Sequence, residues 1–197
     1  FIEVLHLCDT ESDPRTTPVI SIEDSVPVAD ALKNEPDLVV IAYPIYYSNL
    51  PKIMRDFIVE HEELWYGKKI FIICTMALFS GDGTGVSARL LTRYGAHIIG
   101  GVHVIMPDSI SDVKLLKYSP GKNRKIISKT DRKLEDAARN LANHKPPKEG
   151  LSVLAHLLGL FGQRLWFSGK TKHYCDKLKI HTESCIKCGK CISVCPM

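Results

Sequence analysis

Four cysteines lie within eleven positions at the C-terminal end of the chain, in the stretch SCIKCGKCISVCPM. Cys185, Cys188 and Cys191 are each two residues apart, Cys195 follows after three more, and Pro196 comes next. This is the spacing of a bacterial-type [4Fe–4S] ligand set, in which thiolates on one short loop reach different irons. The spacing therefore predicts an iron–sulfur centre held by these cysteines.

Two other uses of the same cysteines stay open, namely zinc ligation and free thiols. Zinc ribbons place their cysteines in two separated pairs with a longer gap, so the run favours iron–sulfur. Gly189 permits a tight turn inside the loop. In two-cluster ferredoxins the fourth cysteine of such a run ligates the neighbouring cluster. We therefore expect Cys195 to serve a second cluster, and we interpret Cys175 as an incidental thiol in preference to a fourth ligand.

Composition indicates an ordinary soluble globular chain. Of the 197 residues, 45% are hydrophobic and 24% are charged, as in one domain with a small appendage. No run of about eighteen apolar residues occurs, so no membrane span is predicted. No signal-peptide pattern opens the sequence. The cysteines cluster instead of spreading in pairs, which favours metal ligation in a reducing compartment and predicts a cytoplasmic protein.

Charge divides unevenly between the two halves of the chain. Residues 1–100 hold 8 Lys and Arg against 14 Asp and Glu, whereas residues 101–197 hold 18 against 8. A basic half can bind nucleic acid or an acidic partner. Its cations are scattered without interleaved aromatic residues, so a solvated face is favoured and no nucleic-acid partner is predicted.

Continuous apolar runs mark the predicted strands. The runs at residues 38–43, 69–74 and 98–106 suit parallel strands whose two faces are both covered by helices. A weak alternation at residues 2–7 predicts one further strand. Helical patterns lie between these runs, so the sequence predicts an α/β fold with a doubly wound parallel sheet.

Helix and loop signals fill the intervals. A helix is predicted to begin at Pro51, a second spans residues 86–94, and an amphipathic third spans residues 130–142. Residues 9–27 contain three prolines and are predicted to be loop. The dense apolar stretch at residues 151–167 is predicted to be an amphipathic helix packed on the α/β domain, and a membrane-surface helix is the alternative.

Two predicted loops follow neighbouring strands, at residues 43–51 and 75–83. Ligands of open α/β sheets bind beyond the carboxyl ends of the strands. The first loop offers an aromatic pair for stacking on a planar flavin ring, and the second offers small residues and free N–H groups. Alone, either loop could be a lid over the core or a plain turn. The candidate cofactor-binding residues are Pro44, Ile45, Tyr46, Tyr47, Ser48, Asn49, Thr75, Met76, Ala77, Ser80, Gly81 and Gly83.

Several stretches together resemble a known family. DLVVIAYPIYYSNLPKIMRDFI, KKIFIICTMALFSGDGTG, ARLLTRYGAHIIGGVHVIMPDSI and the C-terminal LFGQRLWFSGKTKHYCDKLKIHTESCIKCGKCISVCP are similar to bacterial and archaeal proteins that fuse a flavodoxin-like domain to a ferredoxin domain. The resemblance implies a flavodoxin-like sheet, FMN, two [4Fe–4S] clusters and electron transfer with a redox partner protein. It divides the chain into a flavodoxin-like domain at 1–144, a linker with an amphipathic helix at 145–178, and the first half of a ferredoxin segment at 179–197.

The sequence departs from that family at its two ends. The first glycine is Gly67, so no glycine-dependent loop for the FMN phosphate precedes it. Residues 2–7 then correspond to the family's second strand, and the first strand, central in the order 2-1-3-4-5, is absent. We expect either a fragment of a longer protein, cut before the phosphate loop and before the second cluster motif, or a divergent form without FMN.

Three functions are compatible with these features. The first is an electron-transfer flavoprotein, in which Lys187 and Lys190 beside the cysteines stabilise a negatively charged cluster. The second is a non-catalytic module with a structural or redox-sensing cluster, its α/β part serving as a docking surface. The third is a flavin-dependent reductase of a small organic substrate. The oligomeric state is left open.

Overall fold

The computed structural model describes residues 19–23, 25–34, 36–46, 49–107, 116–165, 167 and 182–190. Within them, three parallel strands form a sheet in the order β1-β2-β3. The strands are β1 (Val39–Pro44), β2 (Lys69–Met76) and β3 (His97–Ile105). In register, Ile41 of β1 pairs with Ile72 of β2, which pairs with Gly101 of β3.

The middle strand, β2, is buried from Ile70 to Cys74. Its run of β-branched and aromatic side chains points alternately to two apolar layers, as expected for a parallel strand covered on both faces. The predicted strands at 38–43, 69–74 and 98–106 are thus confirmed to within two residues. The predicted strand at 2–7 lies outside the described residues.

Helices cover the two faces of the sheet. On one face lie α1 (Ser25–Lys33), α2 (Lys52–Glu60) and α3 (Gly83–Arg93), which share a core with Ile70 and Ile72. On the other face α4 (Pro120–Ala142) packs its Ala137 against Phe71, Ile73 and Val104. The short helix α5 (Val153–Gly159) follows, and Leu160–Arg164 continue it as a wider π-helical turn.

Three helix boundaries differ from the predicted ones. Residues 25–27, predicted to be loop, begin α1, because a proline is tolerated in the first turn of a helix. α3 begins at Gly83 instead of residue 86, so three residues before the predicted start, at 83–85, are helical. α4 begins ten residues before the predicted position, where Ser119 caps the helix by accepting from the backbone N–H of Lys122 at 3.4 Å.

Residues 145–150, predicted to be a linker, lie along the outer edge of β3. Gly101 donates its N–H to Pro147 at 2.7 Å and accepts from the N–H of Glu149 at 2.9 Å. The Glu149 carboxylate accepts from the N–H of His103 at 2.9 Å and from Lys133 at 2.8 Å. This segment satisfies backbone groups that an uncovered edge strand would expose.

The described part of the chain is a mixed helix and strand protein with a parallel sheet, so the predicted α/β class is confirmed. The flavodoxin-like strand order stays a prediction, since it depends on a strand that lies outside the described residues. None of the described helices combines the length and the apolar character needed to cross a membrane.

Candidate functional site

The cysteine segment is described from Thr182 to Lys190. A 3₁₀ turn, Thr182–Ser184, leads into Cys185, and Cys188 follows in an extended loop. Both cysteines are free and exposed to solvent. Cys191 and Cys195 lie outside the described residues. Two of the four predicted ligands are therefore accessible thiols on one short loop.

The backbone of this loop turns through the left-handed region at two positions. Lys187 has φ +54° and Gly189 has φ +72°. A residue with a side chain pays about 1–2 kcal/mol for this conformation, whereas glycine adopts it readily. These left-handed positions lie on either side of Cys188, within the short loop that carries the ligands. The positive φ of Gly189 is compatible with the tight turn predicted there, which stays a prediction.

The donor set of the segment fits an iron–sulfur cluster. Thiolates are the ligands such clusters take, and the exposed positions of Cys185 and Cys188 leave both sulfurs able to bind one. Among the described residues, no three His, Cys, Asp or Glu side chains group closely enough to hold a metal ion. This result is expected, because two of the four predicted cluster ligands, Cys191 and Cys195, lie outside the described residues.

The first predicted flavin loop continues β1 at the carboxyl end of the sheet. Ile45 donates its N–H to the carbonyl of Thr75 at 2.9 Å, and Tyr46 and Asn49 exchange two backbone hydrogen bonds. Tyr47 and Ser48 lie outside the described residues. The Tyr46 side chain is 50% exposed. An aromatic ring is thus available to a ligand at this edge of the sheet.

The second predicted flavin loop is covered by the chain itself only in its last residues. Thr75, Met76 and Ala77 are partly exposed, whereas Ser80, Gly81 and Gly83 are buried. A methyl group added to Gly81 would lie 2.3 Å from the backbone nitrogen of Gly159, so the two backbones are in direct contact. Whether these residues bind a flavin stays a prediction, and in this structure Gly81 faces α5.

Asp82 lies at the centre of the contact between this loop and the α5 segment, by which we mean α5 together with Leu160–Arg164. Its carboxylate, fully buried, accepts from Arg164 Nη1 at 2.5 Å and from Arg89 Nη2 at 2.6 Å. His156 Nδ1 lies 3.0 Å away. Burial by itself would raise the pKa of Asp82, but the hydrogen bonds from Arg164, His156 and Arg89 outweigh it, and the pKa stays below its ordinary value. The carboxylate is therefore ionised and links three elements.

The α5 segment packs on the domain through its small and polar side. The predicted packing of residues 151–167 is confirmed for the described part, through Gly159 and Arg164 and a hydrogen bond from Gln163 to the Phe79 carbonyl at 3.1 Å. The apolar side chains were expected to make this contact. Most of them face solvent instead, namely Val153, Leu154, Leu157, Leu158, Phe161 and Leu165.

Two further buried groups lie beneath the carboxyl edge. The Tyr43 hydroxyl donates to the Gly83 carbonyl at 2.7 Å and lies 2.6 Å from Ser87 Oγ. Burial raises the pKa of both Tyr43 and Cys74 well above their ordinary values. Cys74 is thus a neutral, packed thiol with none of the thiolate character that metal ligation needs.

Sequence reasoning missed the Asp82 cluster. Asp82 lies within the loop predicted at residues 75–83, and His156 and Arg164 lie within the apolar stretch at residues 151–167. Charged side chains inside such a stretch are costly to bury unless they are paired. Their presence was the available signal that this helix turns a polar side toward a buried acid.

Fold and site together define an α/β protein with a parallel sheet and a C-terminal cysteine segment. Residues 178–197 match the family model described as a 4Fe-4S binding domain. The match spans all four clustered cysteines, so this segment is of the ferredoxin type and supports a [4Fe–4S] cluster. Neither the curated proteins nor the solved structures include a significant match to the chain. The resemblance of the preceding residues to flavodoxin-like domains stays a prediction.

Proposed function

We propose that this protein transfers electrons through [4Fe–4S] clusters. Cys185, Cys188 and Cys191 are the proposed ligands of one cluster, and Cys195 is the proposed ligand of a neighbouring cluster. The observation that carries the proposal is the cysteine segment, which matches a 4Fe-4S binding domain and presents two of its ligands as exposed free thiols. A bound cluster supplies one-electron chemistry. The chain supplies the thiolates, the left-handed turns between them, and the cation of Lys187 near the ligands.

We infer further that FMN is the cluster's electron partner and lies at the carboxyl edge of the sheet. The support is the parallel arrangement of β1 and β2, whose following loops lie side by side where ligands of such sheets bind. Exposed Tyr46 offers a ring for stacking, and the backbone amides of the loops offer hydrogen bonds to the flavin edge. A flavin-dependent reductase of a small molecule would use the same loops.

One observation favours a second candidate, a cluster protein without flavin. Gly81 and Ser80, proposed to approach the polar edge of the ring, are buried under α5. In this second function the α/β domain is a docking surface and the cluster is structural or senses redox state. The two candidates share the cluster and differ in its role and in whether flavin is present.

The expected redox partner and compartment belong to this proposal. Ile186, between two ligands, is 85% exposed and gives a partner an apolar contact close to the cluster. The free thiols suit a reducing compartment such as the cytoplasm. The measurement is the rate at which the reduced protein passes electrons to a protein acceptor such as cytochrome c. Ile186→Ser should slow this rate, and equal rates would count against a contact there.

The test of cluster binding is anaerobic reconstitution of the whole chain with iron and sulfide. We expect a broad absorbance near about 400 nm and stoichiometric iron and acid-labile sulfide. Cys185→Ser and Cys188→Ser should each abolish this signal. Cys74→Ala is the matched control, because its buried neutral thiol is no ligand, and it should keep the signal. Retention in the two serine variants would contradict the assignment.

The same preparation decides between the two candidates. Acid release followed by chromatography detects any bound flavin, and titration with FMN measures its affinity. Flavin peaks beside the cluster absorbance, reduced when the cluster is reduced, would support the flavoprotein. A fully loaded cluster with no measurable FMN affinity would favour the flavin-free module. Turnover of a quinone with reduced nicotinamide would indicate the reductase.

A further inference from the structure

Half of the cations in the acidic half of the chain line one groove. Residues 1–100 carry 8 Lys and Arg, and four of them, Lys52, Arg55, Arg89 and Arg93, surround a groove of about 400 Å³ between α2 and α3. Cations that serve only solubility are expected to spread over a surface and alternate with acids. Their concentration here calls for a physical cause.

Helix stability is not that cause. Lys52 and Arg55 lie in the first turn of α2, where the positive end of the helix dipole repels cations. No acidic residue lies in that turn. Arg89 and Arg93 are four residues apart on α3, and like charges at that spacing repel each other. The helix dipole therefore favours only Arg93, in the last turn of α3. Lys52 is partly compensated by its i,i+4 ion pair with Asp56 within α2.

Nearby carboxylates neutralise only part of this charge. Asp56 forms an ion pair with Lys52 and lies 4.0 Å from Arg55, and Asp82 holds Arg89 at 2.6 Å. Arg93 has no carboxylate within 4.0 Å among the residues that the structure describes. Among the described residues that line the groove, none is acidic. Four cations against two acids leave a local excess of positive charge facing the groove.

The walls between the cations suit a small organic molecule. Leu50, Val86 and Leu90 form apolar surface, and Asn49 adds an amide. Pockets that hold small ligands have volumes of about 300–1,000 Å³ and combine apolar walls with a few convergent polar groups. Guanidinium groups match phosphate geometry through paired N–H donors. We propose that this groove binds a small molecule that carries a phosphate or pyrophosphate group.

This site is separate from the cysteine segment and stands whether or not the protein transfers electrons. It shares Asn49 and Leu50 with the first loop predicted to bind flavin, and of these only Asn49 is a candidate flavin-binding residue. Flavin content and cluster content, measured on the same samples, therefore report on the proposed function, whereas anion affinity reports on the groove. Failure of one leaves the other intact.

The experiment is calorimetric titration of the reconstituted full chain with inorganic pyrophosphate at low ionic strength. We expect saturable binding at one site that weakens with added salt, since the contacts are charge-assisted. The double variant Arg55→Gln, Arg93→Gln removes two guanidinium groups that no buried acid requires. It should bind pyrophosphate at least about ten-fold more weakly, because each charged hydrogen bond contributes substantially to affinity.

The control is a second double variant, Lys129→Gln, Arg132→Gln, on the exposed surface of α4 across the sheet. It removes the same net charge and should bind pyrophosphate like the wild type. An equal loss in both double variants would mean that net charge alone attracts the anion, and would overturn the proposal. Absence of saturable binding to the wild type would overturn it as well.

Discussion

Asp82 and Arg164 are joined by a 2.5 Å hydrogen bond although 82 residues separate them in the chain. The acid lies in the loop after the central strand, and the arginine lies in the last described turn before the cysteine segment. Both are largely withdrawn from solvent. This pair, with His156 and Arg89, fixes the α5 segment on the carboxyl edge of the sheet. If the cluster exchanges electrons with that edge of the sheet, the Asp82–Arg164 pair also limits the distance between the edge and the cysteine segment.

Asp82→Asn should destabilise the protein by about 2–3 kcal/mol, because removing one partner of a buried ion pair leaves uncompensated charge. Arg89 is partly exposed, so water screens part of that charge, and the lower end of the range is expected. Urea denaturation followed by circular dichroism measures the change.

Asp136→Asn is the matched control for this substitution. Asp136 pairs with Arg139 on the surface of α4, where both side chains are well exposed. Its replacement should change the free energy of unfolding by about 0.5 kcal/mol or less. Equal effects of the two substitutions would contradict the role given to Asp82.

Gly159→Ala should displace α5 from the loop. The added methyl group would lie 1.9 Å from Asp82 Oδ1, far inside van der Waals contact. Overpacking of this kind costs about 1–3 kcal/mol, and the segment should become more accessible to protease. Limited proteolysis and thermal unfolding report the two effects.

Gly162→Ala tests whether loss of any glycine from this segment has the same result. A methyl group at Gly162 meets nothing within 4 Å. This variant should be neutral or slightly stabilising, because alanine is the better helix former. If Gly162→Ala were as sensitive to protease as Gly159→Ala, the effect would come from the loss of a flexible glycine and not from the close contact between Gly159 and Asp82.

Local patterns predicted the strands and most helices, because continuous apolar runs and helical spacing depend on near neighbours. The cysteine motif was predictable for the same reason. The start of α4 was missed because its first turns are polar and exposed, so periodicity begins only where Thr130 is buried. The cap at Ser119 followed by Pro120 was the signal that could have found it.

The contacts that shape the candidate site were not predictable in this way. Asp82 bonds to His156 and Arg164, which are 74 and 82 residues away. No periodicity in one sequence shows which distant charges meet. The exposed apolar side of α5 was missed because an apolar stripe is normally the packing face, whereas here the close approach of Gly81 and Gly159 selects the opposite side.

Acid should weaken the fold through His103. Its Nε2 accepts from the N–H of Thr84 at 3.2 Å, which requires an unprotonated nitrogen. Burial, reinforced by Lys133, lowers the pKa of His103 below its ordinary value of 6.5, although Glu149 and Asp82 oppose the shift. As pH falls below 6.5, the unfolded chain takes up this proton before the folded one does. The stability of the neutral form is therefore lost on acidification.

His103→Gln removes this titration and should make the free energy of unfolding depend less steeply on pH below about 6.5. Urea midpoints of the wild type and the variant at several pH values measure the slopes. The variant is expected to be less stable at pH 7, so the slope and not the absolute value is the test. Identical slopes would show that other groups cause the acid sensitivity.

Gly189→Val should prevent efficient cluster assembly while leaving every cysteine in place. Gly189 has φ +72°, which a β-branched residue adopts only at a cost of about 1–2 kcal/mol or more. Gly189→Asn is the matched control, because asparagine tolerates the left-handed region. We expect the asparagine variant to retain most of its iron and sulfide after anaerobic reconstitution and the valine variant to lose most of them. Equal cluster content in the two variants would show that the left-handed turn beside Cys188 is not required for the loop to hold its metal centre.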